Sequence, residues 1–175
     1  MANAFSRALR LYALMTTTAA SKLGQILVCS NITFGVLAVL TPHAFLVTVV
    51  ATDLDELGHV NNARYLDYLE RGRTTWYAEQ GLVEACAGAL AVPLGTVVVN
   101  VNIDFRSECA TGDQLTISTE AERVGTKSFT VRQRINKATG ELAAEASVTS
   151  VVMDLHVRTA IELPRAAREL LAANS

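Results

Sequence analysis

Hydrophobic and polar positions change their spacing several times along this chain of 175 residues, and each change marks an element. Residues 26 to 41 form a strongly apolar run, shorter than the ~20 residues a membrane-spanning helix needs and interrupted by Ser30, Asn31 and Thr33. Residues 44 to 52 are apolar and β-branched, which predicts a first strand with Pro42 just ahead of it. From Asn62 to about residue 80, Ala63, Leu66, Leu69, Trp76 and Tyr77 alternate with Tyr65, Tyr68 and Gly72. That pattern predicts a long helix, apolar nearly all round and therefore buried, ending near Gly81. Residues 82 to 95 read as a helical stub and a loop closed by Pro93 and Gly95.

Strands dominate the rest. Val97, Val99, Val101, Ile103 and Phe105 alternate with Val98, Asn100, Asn102 and Asp104, the period of two of a half-buried strand. Thr111-Gly112-Asp113, Gly125-Thr126 and Lys137-Ala138-Thr139-Gly140 are turn signals. They divide the chain into strands at residues 114 to 123, 128 to 136 and 141 to 158. Pro164 then opens a short helix from Arg165 to Ala172, where its missing N–H is harmless. Order and lengths predict an α+β fold with a five-stranded antiparallel sheet around one long helix. No internal repeat or low-complexity segment breaks it.

Composition changes this picture mainly at the N-terminus. The net charge is −2, but residues 1 to 52 hold Arg7, Arg10 and Lys22 and no acid, so the remainder carries −5. Residues 1 to 42 are read as an N-terminal extension: a targeting peptide, a membrane anchor, or a segment outside the functional domain. Residues 43 to 175 form the domain. Any membrane contact is expected only through residues 1 to 42. The small net charge offers no reason to expect nucleic acid as a partner. Cys29, Cys86 and Cys109 are odd in number and widely spaced, with no metal-binding pair, so they read as buried thiols of a cytoplasmic protein.

The chemistry concentrates in residues 53 to 77. An acidic loop turns at Gly58, meets His59-Val60-Asn61-Asn62 and runs into the long helix. A helix start presents unpaired N–H groups and partial positive charge, which can polarise a carbonyl. Asp55, seven residues ahead of Asn62, is the carboxylate placed to act on it. Asp53 and Asp55 lie two apart and, in extended chain, point to opposite sides. One of Asn61 and Asn62 is explained as a helix cap, leaving the other's N–H for the carbonyl. Glu70 is an alternative carboxylate, but it sits about 12 Å along the helix from Asn62 at ~1.5 Å per residue. A pairing of Glu70 with Arg71 or Arg73 is the expectation for it.

Asp55-Glu56-Leu57-Gly58-His59-Val60-Asn61-Asn62, followed by Tyr65, Tyr68, Glu70 and Arg73, resembles the signature of hotdog-fold acyl-CoA thioesterases of the 4-hydroxybenzoyl-CoA thioesterase-like family. The resemblance covers roughly residues 44 to 165. It implies a hotdog fold, with the sheet curved around the helix, and a homodimer or homotetramer whose sites are completed by a neighbouring copy. It also implies hydrolysis of acyl-CoA in fatty acid metabolism, without metal or bound cofactor. Asp55 is then the catalytic carboxylate and the Asn62 backbone N–H the carbonyl donor. Gly58, His59, Val60, Asn61 and Tyr65 would shape the substrate site, with Lys127 and Arg158 holding the nucleotide end. Plant acyl-ACP thioesterases share His-Val-Asn-Asn but place an Asn where this chain has Leu57. An acyl-ACP thioesterase, a hotdog hydratase and an acyl-binding protein are the alternatives. Leu66, Trp76 and Val99 are the residues expected to set pocket depth.

Overall fold

The computed structural model describes residues 44 to 87 and 92 to 175. The sequence-based expectations for residues 1 to 42 lie outside them. Strand β1 (Ala44–Thr48) leads through a single 3-10 turn (Ala51–Asp53) into helix α1 (Asn62–Glu79) and the short helix α2 (Leu82–Ala87). Strands β2 (Leu94–Phe105), β3 (Gln114–Val124), β4 (Ser128–Lys137) and β5 (Leu142–Asp154) follow. A two-residue strand β6 (Thr159–Ala160) and helix α3 (Arg165–Ala172) complete the chain.

The sheet order is β1-β3-β4-β5-β2, antiparallel between every pair of neighbours, so β1 and β2 are its edges. Five strands, four of them long, against one long helix form the hotdog arrangement that the resemblance implies. β6 is an addition. The last long strand stops at Asp154, where the Asp154 side chain accepts from the N–H groups of His156 and Val157. The chain then folds back so that Met153 and Asp154 pair with Ala160 and Thr159.

Alternate residues of the central strands point at the helix and are buried: Leu115 and Ile117 on β3, Phe129, Val131 and Ile135 on β4, and Ala144, Ala146, Val148 and Val152 on β5. α1 answers with a single stripe of Tyr65, Tyr68, Leu69, Gly72, Arg73, Trp76 and Tyr77. It is therefore buried on one face, not all round as its composition suggests; Leu66 and Glu70 are exposed. Gly72 lets α1 sit low on the sheet, since a Cβ there would lie 2.6 Å from Ile117 Cγ2. Beside it, fully buried Gln133 joins helix to sheet. Its Nε2 donates to the Leu69 carbonyl and to Thr119 Oγ1, both at 2.9 Å, and its Oε1 accepts from Arg73 Nη1 at 3.1 Å.

The single alternation expected for β2 fails at one point. A bulge between Val98 and Asn100 shifts its register against β5, so Val98 stands opposite Ser150 while Val101 stands opposite Val148. A bulge adds one residue and reverses the facing of everything beyond it. Val98, Val101 and Phe105 consequently share the concave side, and Val99 is left exposed at the bulge. Because α1 packs on β3 and β1, that concave side of β2 stays open, with Val101 39% and Phe105 50% exposed.

Candidate active site

The loop between β1 and α1 is built by local chemistry. The Gly58 N–H donates to the Asp55 carbonyl at 3.1 Å, and the Asp55 N–H donates to the His59 carbonyl at 2.9 Å. Leu54 bridges Val60, closing a small hairpin. Gly58 occupies the left-handed region at φ 84°, which a side chain would strain. The Asp55 side chain accepts from the Leu57 N–H at 2.9 Å, a turn typical of aspartate. Its other oxygen lies 3.4 Å from His59 Nδ1. The Val60 N–H donates to the Cys109 carbonyl at 2.8 Å and so ties the hairpin to the segment after β2.

Asn61 is the cap. Its side-chain oxygen accepts from the Ala63 N–H at 2.9 Å, and Asn62 becomes the first residue of an 18-residue helix. As a first helical residue, Asn62 has no intrahelical acceptor for its own N–H, and the helix field favours negative charge in front of it.

In front of Asn62 opens a cleft of about 440 Å³, lined by Asp55, His59, Val60, Asn62 and Tyr65 on one side and by residues 105 to 108 on the other. The fold thus brings five of the expected site residues to one hollow. Gly58 and Asn61 act from behind as turn and cap. Tyr65 stacks edge-on against Phe105, with ring centroids 5.1 Å apart. Burial, reinforced by the neighbouring Cys109 thiol, pushes the Tyr65 phenol well above its usual range, so it stays protonated. Arg106, at the far rim, is 3.2 Å from Asp104.

Lys127 and Arg158 stand elsewhere. Lys127 precedes Ser128, which faces Val151 and through it Val97, eight positions before Phe105 on β2. Eight positions separate it from the cleft by roughly 25 Å, at ~3.3 Å per residue. Arg158 lies in the turn before β6, near the same end of the sheet. The pairing expected for Glu70 is absent: Arg71 lies 3.9 Å from Asp67, and Arg73 donates to Gln133. Trp76 is a core residue, and Val99 lines none of these hollows.

Sequence reasoning missed a second hollow, further along α1. Between α1 and β2 lies a further hollow of about 180 Å³, lined by Leu66, Leu69, Glu70, Arg73, Val98, Val101 and Val148. Of the three depth residues, only Leu66 reaches it. The bulge in β2, which aligns Val98 with Val101, carries no mark in the valine-rich sequence. Among the described residues, no group of three or more His, Cys, Asp or Glu side chains is arranged to hold a metal ion.

Comparison with known proteins gives a consistent result. A family model described as the thioesterase-like superfamily matches residues 49–171. The chain is 35% identical over 119 residues to the long-chain acyl-CoA thioesterase FadM of Escherichia coli strain K12, a match that spans 67% of this chain and 88% of that protein. YbaW, a probable thioesterase from Escherichia coli of known structure, is 30% identical with a TM-score of 0.61, over 75% of this chain and 98% of that one. SAV2348 of Staphylococcus aureus, solved in complex with CoA, has a TM-score of 0.67 over 75% of this chain and 82% of that one. At 19% identity, it speaks for the fold alone.

Proposed function

The chain belongs to the thioesterase-like superfamily and is a thioester hydrolase, and from that premise we propose that it hydrolyses a long-chain acyl-CoA to the free acid and CoA at the Asp55 cleft. The observation that carries this is the shared hollow. The Asp55 carboxylate and the open N–H at the start of an 18-residue helix line the same cavity.

In this reading the thioester carbonyl oxygen accepts from the Asn62 N–H, and the helix field stabilises the charge that grows on it. Asp55 either attacks the carbonyl carbon, giving a mixed anhydride that water opens, or removes a proton from the attacking water. CoA thiolate leaves in both routes. His59 Nδ1, 3.4 Å from the second oxygen of Asp55, adds to the backbone bonds that aim it. The acyl chain runs from the cleft into the hollow between α1 and β2. Asn62 to Arg73 spans roughly 16 Å of helix at ~1.5 Å per residue. A zigzag chain with ~1.5 Å carbon–carbon bonds would place roughly 12 to 14 carbons along it.

A second copy belongs to the proposal. β2 is a long edge strand with apolar, exposed Val98, Val99, Val101 and Phe105. Such an edge is a pairing surface unless it is covered. Among the described residues the cleft lining also carries one Arg or Lys, Arg106, with the acids Asp55 and Glu108, too little positive charge for the phosphates of CoA. A neighbour paired through β2 would close the acyl channel and supply positive charge, with Lys127 and Arg158 as candidates. The buried, unpaired thiols of Cys86 and Cys109 fit a reducing compartment such as the cytoplasm.

Thiol release from a panel of acyl-CoAs, followed with a disulfide reagent, tests the assignment. The wild type is expected to turn over long chains, with Asp55→Ala and Asp55→Asn slower by at least ~10²-fold, the scale of losing an acid–base group. An unaffected Asp55→Ala would transfer the role to Glu70 or His59. A wild type that releases no thiol would overturn the assignment.

A further inference from the structure

Two residues ahead of Asp55, a second carboxylate is placed very differently. Asp53 is 3% exposed and bonded on every side. Its Oδ1 accepts from Arg64 Nε at 2.8 Å, with Arg64 Nη2 also at 2.8 Å. Its Oδ2 accepts from the Tyr68 hydroxyl at 2.7 Å and from the Val50 N–H at 3.2 Å. Its backbone N–H donates to the Val50 carbonyl, and its carbonyl accepts from the N–H of Asn61, the helix cap, both at 2.9 Å. One residue therefore fastens the end of β1, the cap of α1 and the first two turns of α1 to the start of the loop that carries Asp55. The backbone bonds would survive any substitution, but no apolar side chain could accept the bonds from Arg64, Tyr68 and the Val50 N–H.

We propose that Asp53 is a positioning residue for hydrolysis, holding the Asp55 hairpin and the Asn62 helix start in one fixed relation. This rests on the function proposed above. Between Asp53 and Asp55 lies only Leu54, whose backbone is extended at φ −82° and ψ 152°. A shift of Asp53 relative to Arg64 and Tyr68 is therefore carried directly to Asp55, while Asn62 moves with the helix. Near-attack geometry tolerates little displacement, and about 1 Å of misplacement can lower a rate on the order of 10²-fold. Arg64 and Tyr68, three residues and six residues into α1 from Asn61 and Asn62, are part of the same clamp and do not themselves line the cleft, although the Tyr68 ring lies 6.3 Å, centroid to centroid, from that of Tyr65, which does.

The clamp also explains why Asp53 keeps its charge although it is buried. Burial pushes its carboxyl up, but the bonds from Tyr68, the Val50 N–H and Arg64 outweigh that and hold it below the usual carboxylate range. An ionised, fully bonded carboxylate is a stiffer anchor than a neutral amide, which would offer one acceptor instead of two.

The test is a double-mutant cycle on the full chain with an acyl-CoA substrate, using Asp53→Asn, Asp55→Asn, the double variant, and Tyr68→Phe as a milder probe. Asp53→Asn is expected to lower kcat by roughly 10- to 100-fold with KM within about threefold, and Tyr68→Phe to lower kcat by a smaller factor in the same way. In the Asp55→Asn background, Asp53→Asn should have almost no further effect on kcat, because the group it positions is already gone. A purely structural role would reduce activity by the same factor in both backgrounds, and that result overturns the proposal. Unchanged kcat in a folded Asp53→Asn or Tyr68→Phe protein also overturns it. A wild type with no thioesterase activity removes the functional premise and this role with it, an outcome distinct from the other two.

Discussion

Asp55 and His59 face each other across one turn, carboxylate Oδ2 to imidazole Nδ1 at 3.4 Å, while the same two residues close the turn through an Asp55 N–H to His59 carbonyl bond of 2.9 Å. The backbone bond and the Leu57 N–H keep Asp55 in place even without the imidazole. His59→Ala is therefore expected to lower kcat by less than about 10-fold, against at least ~10²-fold for Asp55→Asn. Steady-state thiol release on both variants measures the gap. Equal losses would make His59 a direct participant.

The hollow between α1 and β2 should govern chain length. Val101 lines it and is 39% exposed, so a larger side chain there can be accommodated without refolding the core. Val101→Trp is expected to lower kcat/KM for long acyl chains by at least about 10-fold, the lower end of what a change of fit in a hydrophobic pocket achieves. Short chains should change less than about threefold. A uniform loss over the whole panel would place the acyl chain elsewhere.

Gly72 is required by proximity and not by backbone conformation. Alanine favours a helix over glycine by about 1 kcal/mol, yet its Cβ would meet Ile117 Cγ2 at 2.6 Å. Overpacking of this kind costs about 1–3 kcal/mol. Gly72→Ala should melt at a lower temperature than wild type in a thermal scan. A higher melting temperature would mean that β3 yields without strain.

Gln133 holds three partners in the core, so its loss strands the Leu69 carbonyl lone pair, the Thr119 hydroxyl and the Arg73 guanidinium together. Gln133→Leu keeps the volume but leaves a buried cation without an acceptor. Destabilisation of about 3 kcal/mol is expected, in the range for orphaned buried polar groups. Urea unfolding measures it. Adding Arg73→Met should recover part of the loss, since both ends of the contact are then apolar.

Asp53 sets a dependence on acid. Burial opposes its ionisation, but hydrogen bonds from Tyr68, the Val50 N–H and Arg64 prevail and lower its pKa in the folded chain below the unfolded value of 3.8. The unfolded chain then binds the proton more readily, so this stability is fully present above about pH 4 and is lost as the pH falls through the lowered value. Asp53→Asn should be less stable than wild type at pH 7. The difference should narrow as the pH falls below about 4, followed by chemical denaturation at each pH. A constant difference would show that the charge contributes nothing.

Much of this was legible in the residues. Helix α1, its asparagine cap and its stop at Gly81 follow from local rules, because capping and left-handed glycine are decided within a few residues. The turn at Gly58 and the hairpins of β3, β4 and β5 follow for the same reason. The motif also marked Asp55, His59, Val60, Asn62 and Tyr65, and the fold brings all five to one cleft.

What only the tertiary structure decided depends on residues far apart in the chain. The pattern of α1 reads as apolar nearly all round, and the choice of its buried face was made by Ile117 and Gln133 on strands that come later. The bulge in β2 reverses its facing, and a run of valines fits either phase equally well until β5 selects one. Asp53 and Asp55 look alike in sequence. One is sunk among Arg64, Tyr68 and Val50 and held as an anchor, while the other is left at the cleft mouth, because a helix turn returns Arg64 and Tyr68 to the first of them alone. Short-range chemistry therefore determined the elements and the candidate carboxylate, and the packing of helix on sheet determined which groups meet.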